Sequence, residues 1–121
     1  MQKFKFSYDK ENDDLFLHSP KSKSKGSIEL GRDLIIDFNS RKEVVGLQIL
    51  NASNLLKDLL ADEEIRNIRQ VIANLEEAKV DIKNKNNLLI IAIYLMSKKG
   101  NLSAAIPMAA INIKSPALAH A

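Results

Sequence analysis

Hydrophobic and polar residues alternate from the start of the chain. Phe4, Phe6 and Tyr8 alternate with Lys3, Lys5 and Ser7, the period of two that a half-buried strand requires. Asp9 to Asp14 is polar and reads as a turn. Leu15-Phe16-Leu17 begins a second strand, and Pro20, which has no N–H for a sheet ladder, ends it. Lys21 to Gly26 reads as a loop. Ile28 and Leu30 open a third strand, broken or bent at Gly31-Arg32. Leu34, Ile36 and Phe38 then share one face, with Asp33, Ile35 and Asp37 on the other. Asn39 to Lys42 has the composition of a hairpin connection, and Val45, Leu47 and Ile49 complete a fourth strand. Short links favour antiparallel neighbours, so this region is expected to form a four-stranded meander.

The pattern then changes period. Asn54 to Leu60 predicts a short helix with Asn51 or Ser53 as its cap. Asp62, Glu63 and Glu64 suit the positive end of a following helix. Ile65, Ile68, Val71, Ile72 and Leu75 recur at three- and four-residue spacing and make one apolar stripe that needs a surface to cover.

Alternation returns at Val80 and Ile82, between Lys79, Asp81 and Lys83. Leu88 to Met96 is apolar throughout. It admits a buried helix, but its short length, its content of Ile90, Ile91, Ile93 and Tyr94, and its turn-like flanks favour a strand. Leu102 to Ile113 reads as a third strand of this group, and Pro107 makes it an edge or a bulge. A shift of 74 residues places Lys5 on Lys79, Asn12 on Asn86, Leu15 on Leu89 and Lys25-Gly26 on Lys99-Gly100. That is a faint echo of one strand-turn-strand-turn-strand unit in another.

The expected fold class is α+β: an antiparallel sheet from an N-terminal four-stranded meander and a C-terminal group of three strands, with central helices packed on one face. The 121 residues suit a single domain. Its parts are a meander over 1–53, a helical region over 54–78, C-terminal strands over 79–114 and a tail over 115–121.

Composition narrows the chemistry. Hydrophobic residues are 45% and charged residues 27% of the chain, an ordinary globular balance. The net charge of +3 is spread over both halves, whereas phosphate binders gather charge on one face. The absence of cysteine removes disulfides, thiolate catalysis and cysteine-based zinc sites. The N-terminus lacks the apolar core of a signal peptide. The run Leu88 to Met96 falls short of the roughly 20 residues a membrane helix needs. A soluble, cytoplasmic protein with no membrane contact is expected.

No catalytic, cofactor-binding or metal-binding residue is assigned. Asp9, Glu11 and Asp13 alternate like the first ligands of a calcium loop, but Asp14 and Pro20 stand where that loop needs Gly and a bidentate acid. His18 and Ser19 are strand neighbours and so point to opposite faces, poorly placed to pair as nucleophile and base. His120 lies in the tail, and no phosphate-cradling glycine loop is present. Lys21, Lys23 and Lys25 alternate with serines and are the candidate anion or phosphate contacts, although no aromatic side chains are interleaved for base stacking.

Two stretches carry a family resemblance. One is Phe6-Ser7-Tyr8-Asp9-Lys10-Glu11-Asn12-Asp13-Asp14-Leu15-Phe16-Leu17, with a Tyr-Asp pair, an acidic turn and an apolar strand. The other is Glu43 to Ser53, with its Val-Gly-Leu-x-Ile-Leu core and an Ala-Ser step into a helix. Together they resemble the small prokaryotic proteins of domain of unknown function 2283, over about residues 3 to 55. Gln48 departs from the acidic residue expected there. The resemblance marks the fold and says nothing about catalysis. It does imply a possible antitoxin or partner-binding role, because some members of that family are thought to lie beside toxin-like partners.

From Gly100 to Ala121 only Lys114 is charged. An apolar edge of that kind invites another chain. A homo-oligomer, with a dimer favoured, is therefore expected, with Leu102, Ile106, Met108, Ile111 and Ile113 as its interface. The expected function is a non-catalytic, self-associating protein-interaction module. A nucleic-acid-associated or antitoxin-like protein is the runner-up, and a small enzyme the third reading.

Overall fold

In the computed structural model, which describes residues 1–60 and 67–109, the alternating segments join into one eight-stranded sheet accompanied by two short helices. The strands are β1 (Gln2–Asp9), β2 (Asp14–His18), β3 (Gly26–Leu30), β4 (Leu34–Phe38) and β5 (Val44–Ile49), then β6 (Leu75–Lys85), β7 (Leu88–Ser97) and β8 (Gly100–Ala109). The helices α1 (Ala52–Leu59) and α2 (Ile68–Ala73) lie between β5 and β6. The order across the sheet is β3-β4-β5-β2-β1-β6-β7-β8, and every pairing is antiparallel.

The N-terminal region differs from the expected meander in two ways. It has five strands, because Gly31, at φ +70, makes the break at Gly31-Arg32 a true turn between β3 and β4. It is also out of sequence order, since β2 pairs with β5 and not with β3. The burial pattern explains the exchange. Five of the six residues of β5 are buried, so it suits a central position, whereas β3 alternates between half-buried and exposed and suits an edge.

The helical region is shorter than its apolar stripe suggests. α2 ends at Ala73, and Leu75 already belongs to β6. Strand pairing with β7 along ten positions outweighs one more turn of a six-residue helix. Asp62, Glu63, Glu64 and Ile65 lie outside the described residues. Leu88 to Met96 forms a strand, and Pro107 lies on β8, an edge of the sheet. Two strand starts coincide under the 74-residue shift, Asp14 with Leu88 and Gly26 with Gly100, but β7 pairs with β8 whereas β2 pairs with β5, so the two regions do not repeat one strand-turn-strand-turn-strand unit.

One face of the sheet supplies the core. Phe4, Leu15, Leu17, Ile36, Leu47 and Ile49 join Ala78, Val80, Ile91, Ile93, Leu95 and Leu102 in a single buried cluster, together with Ala52 and Leu56 of α1 and Ile68, Val71 and Ile72 of α2. Because both ends of the sheet feed one cluster, the sheet curls around it. α1 touches β8, and α2 touches β7 and β8. β1 is the link between the halves. Gln2, Lys3 and Phe4 pair with Val80, Lys79 and Ala78 of β6, and Lys5 to Asp9 pair with β2. No helix among the described residues is long and apolar enough to cross a membrane.

Candidate functional site

The tightest polar cluster joins the two stretches that define the family resemblance. Asp13 ends the β1–β2 turn in a left-handed conformation, φ 58, which short polar residues tolerate best. The residue is 6% exposed. Its carboxylate accepts hydrogen bonds from the Tyr8 hydroxyl at 2.5 Å, from the Ser53 hydroxyl at 2.5 Å and from the Ser53 backbone N–H at 3.1 Å. The Asp13 carbonyl also accepts from the Ala52 N–H. Asp13 thus caps α1 from a distant hairpin. Asn51 occupies the expected cap position, but its side chain makes no cap bond.

Burial would raise the Asp13 pKa. The hydrogen bonds from Ser53 and Tyr8, with the nearby Arg69 charge, outweigh that and hold it below the usual aspartate value. Burial, then the bond to Asp13, pushes the Tyr8 phenol up to about 12. With its acceptors engaged from both sides, this cluster is a clasp between β1–β2 and α1. Sequence reading placed Asp13 in a solvated turn. The detectable signal was a Tyr and an Asp bounding the turn, with a Ser one step into the helix.

On the opposite, outward face, polar residues line up across five strands. Lys5 is opposite His18, His18 opposite Gly46, Gly46 opposite Asp37, and Asp37 opposite Ser27. The Ser27 hydroxyl donates to Asp37 Oδ1 at 2.6 Å, and the Gln48 amide lies 3.4 Å from Oδ2. A cavity of about 440 Å³ lies over this row, with Lys21 and Lys23 on its wall beside Lys5 and His18. Lys25 is not brought there: its backbone N–H is bonded to the Phe38 carbonyl, where β3 begins to pair with β4. The acid that shares a cavity with His18 is Asp37, which sequence reading did not single out.

The C-terminal strands present their candidate interface residues inward. Leu102, Ile106 and Met108 are 2%, 4% and 5% exposed and belong to the chain's own core. Ile111 and Ile113 lie outside the described residues. The expected apolar surface instead has the other strand parity. Leu88, Ile90, Ala92, Tyr94 and Met96 of β7 point outward and keep part of their surface exposed. Across from them on β8 lie Pro107 and Ala105, then Ser103 and Asn101, all exposed.

Among the described residues, basic side chains are divided between separate cavities. Lys21 and Lys23 share one cavity, whereas Lys99 lines another with Tyr8, Lys10 and Arg69. A third cavity, of about 580 Å³, lies between the Asn39–Val45 connection and Ile82, Asn84 and Leu89. Among the described residues, no three His, Asp or Glu side chains converge as a metal site.

A family model described as "Protein of unknown function (DUF2283)" matches residues 5–53. An uncharacterised protein of Methanocaldococcus jannaschii is 34% identical over 95 residues, covering 72% of this chain and 81% of the relative. A Methanosarcina mazei protein named "Putative hypoxanthine phosphoribosyltransferase" is 33% identical over 93 residues, covering 71% of this chain and 73% of the relative. No solved structure matches the chain significantly.

Proposed function

The chain belongs to the DUF2283 family, and from the outer face of its C-terminal strands we propose that it is a non-catalytic protein-interaction module that associates with a second copy of itself. The observation that carries this reading is the β7 stripe. Five successive outward positions, Leu88, Ile90, Ala92, Tyr94 and Met96, are apolar, and Ala105 and Pro107 extend the patch onto the edge strand β8. Outward positions of the N-terminal strands are mixed instead: Lys5, His18, Asp37, Ser27 and Glu29 stand among two half-buried apolar residues, Phe16 and Ile35. On this reading the chain is one domain, and the helices cover the inner face of the sheet. The outer face of β7 is then the apolar surface left for a partner. A two-fold pairing of stripe against stripe is self-complementary, as a closed dimer requires.

Light scattering coupled to size-exclusion chromatography tests this. A dimer is expected at micromolar concentration, and Ile90→Lys or Tyr94→Lys is expected to return it to a monomer with an unchanged circular dichroism spectrum. Monomeric wild-type protein would end the reading. The name of the Methanosarcina mazei relative supplies a second reading. Release of pyrophosphate from phosphoribosyl pyrophosphate in the presence of hypoxanthine would replace the non-catalytic assignment.

A further inference from the structure

We propose that the outward row centred on Gly46 is a binding site for a phosphorylated small molecule bearing hydroxyl groups. The site is independent of the β7 stripe. Its floor depends on a missing side chain. A Cβ at Gly46 would meet Asp37 Oδ2 at 2.6 Å, so the carboxylate lies over β5 only because position 46 is glycine. Beside it the register shifts: Asp37 is opposite Gly46, but Phe38 is opposite Val44, which leaves Val45 as an extra residue. Bulges of this kind re-aim side chains and recur next to binding sites.

The wall is equally specific. Ser19 is 5% exposed, and its hydroxyl accepts from the Lys21 N–H at 3.2 Å and from the Gln2 amide at 2.9 Å. These bonds anchor the start of the loop that brings Lys21 and Lys23 over the row. Lys5, Lys21 and Lys23 then face a cavity in which Asp37 is the one carboxylate among the described lining residues. Among the described residues, none of the three ammonium groups forms an ion pair within 4.0 Å.

Three cations against one anion select a dianionic group, and a phosphate monoester satisfies ammonium donors better than a carboxylate does. Asp37 stands at the other end of the row. It is held by Ser27 and Gln48, and it accepts hydrogen bonds, so it suits a ligand hydroxyl and repels a second phosphate. The cavity, at about 440 Å³, falls in the range of small-molecule sites and leaves room for a sugar phosphate.

Isothermal titration calorimetry with glucose 6-phosphate, inorganic phosphate and glucose tests the proposal on the full chain. Glucose 6-phosphate is expected to bind more tightly than inorganic phosphate, and glucose to give no heat. The double variant Lys21→Ala/Lys23→Ala lies on an exposed loop and leaves the core intact. It is expected to weaken both phosphate ligands by about tenfold or more. Asp37→Asn is expected to weaken glucose 6-phosphate while sparing inorganic phosphate. Absence of heat with both phosphates would overturn the site. So would affinities that the double variant leaves unchanged, or binding of a DNA oligonucleotide without binding of glucose 6-phosphate.

Discussion

At the scale of single residues, Asp13 ties together groups that are far apart in the chain. One carboxylate holds the Tyr8 hydroxyl, the Ser53 hydroxyl and the first turn of α1. Replacement by Ala would strand those donors and place a Cβ-bearing residue without a polar side chain at φ 58. Asp13→Ala is expected to lower unfolding free energy by about 2–4 kcal/mol, read from urea midpoints. The pH dependence has a definite sign. The folded pKa of Asp13 is lowered, so its contribution is complete above the unfolded pKa of about 4 and is lost as pH falls through the lower folded value. The stability gap between wild type and Asp13→Asn should therefore narrow in that acid range and stay constant at neutral pH. A gap that stays constant down to pH 2 would contradict the assignment. Only the local half of the clasp, Tyr8 and Asp13 five residues apart, left a signal in the sequence; its partner Ser53 lies 40 residues from Asp13, and no local pattern reports that pairing.

At the scale of elements, β7 shows what a sequence pattern can and cannot fix. A strand apolar at both parities signals burial on two sides but does not say which side another molecule covers. Composition pointed to the strand after it, and there Leu102, Ile106 and Met108 took the inward parity. A shift of one residue exchanges the faces of a strand, so an interface named by apolarity alone can fall on the wrong face. Pro107 was more informative: a residue without an N–H belongs at an edge, and β8 is an edge. The same logic separates neighbours on β7. Ile91 is fully buried, whereas Ile90 points outward opposite Pro107. Ile91→Ala is expected to cost roughly 2–5 kcal/mol by leaving a cavity. Ile90→Ala should change the unfolding free energy of the isolated monomer, read from urea midpoints, by less than about 1 kcal/mol. Equal losses at the two positions would refute the face assignment.

At the scale of the whole molecule, strand existence was legible and strand order was not. Local alternation marked the strands, but the insertion of β5 between β2 and β4 depends on which strand is buried most completely. The same global accounting gives β1 its importance. Its first three residues pair with β6 and the rest with β2, so a short ladder joins five N-terminal strands to three C-terminal ones. Backbone pairing that brief would leave two loosely coupled halves. The core argues against this, because Phe4, 4% exposed, sits at the join and belongs to the cluster that both halves feed. Hydrophobic contact therefore supplies the coupling that the ladder alone does not. The two tyrosines sit on opposite sides of the join, Tyr8 in β1 beside β2 and Tyr94 in β7, and there is no tryptophan to obscure them. Unfolding followed by Tyr8 fluorescence in a Tyr94→Phe background is expected to coincide with that variant's far-ultraviolet circular dichroism transition. Phe4→Ala added to that background should lower both midpoints together, by about 3–5 kcal/mol in unfolding free energy. If the fluorescence and dichroism curves separate when Phe4 is truncated, the halves fold independently and the shared core is not what unites them.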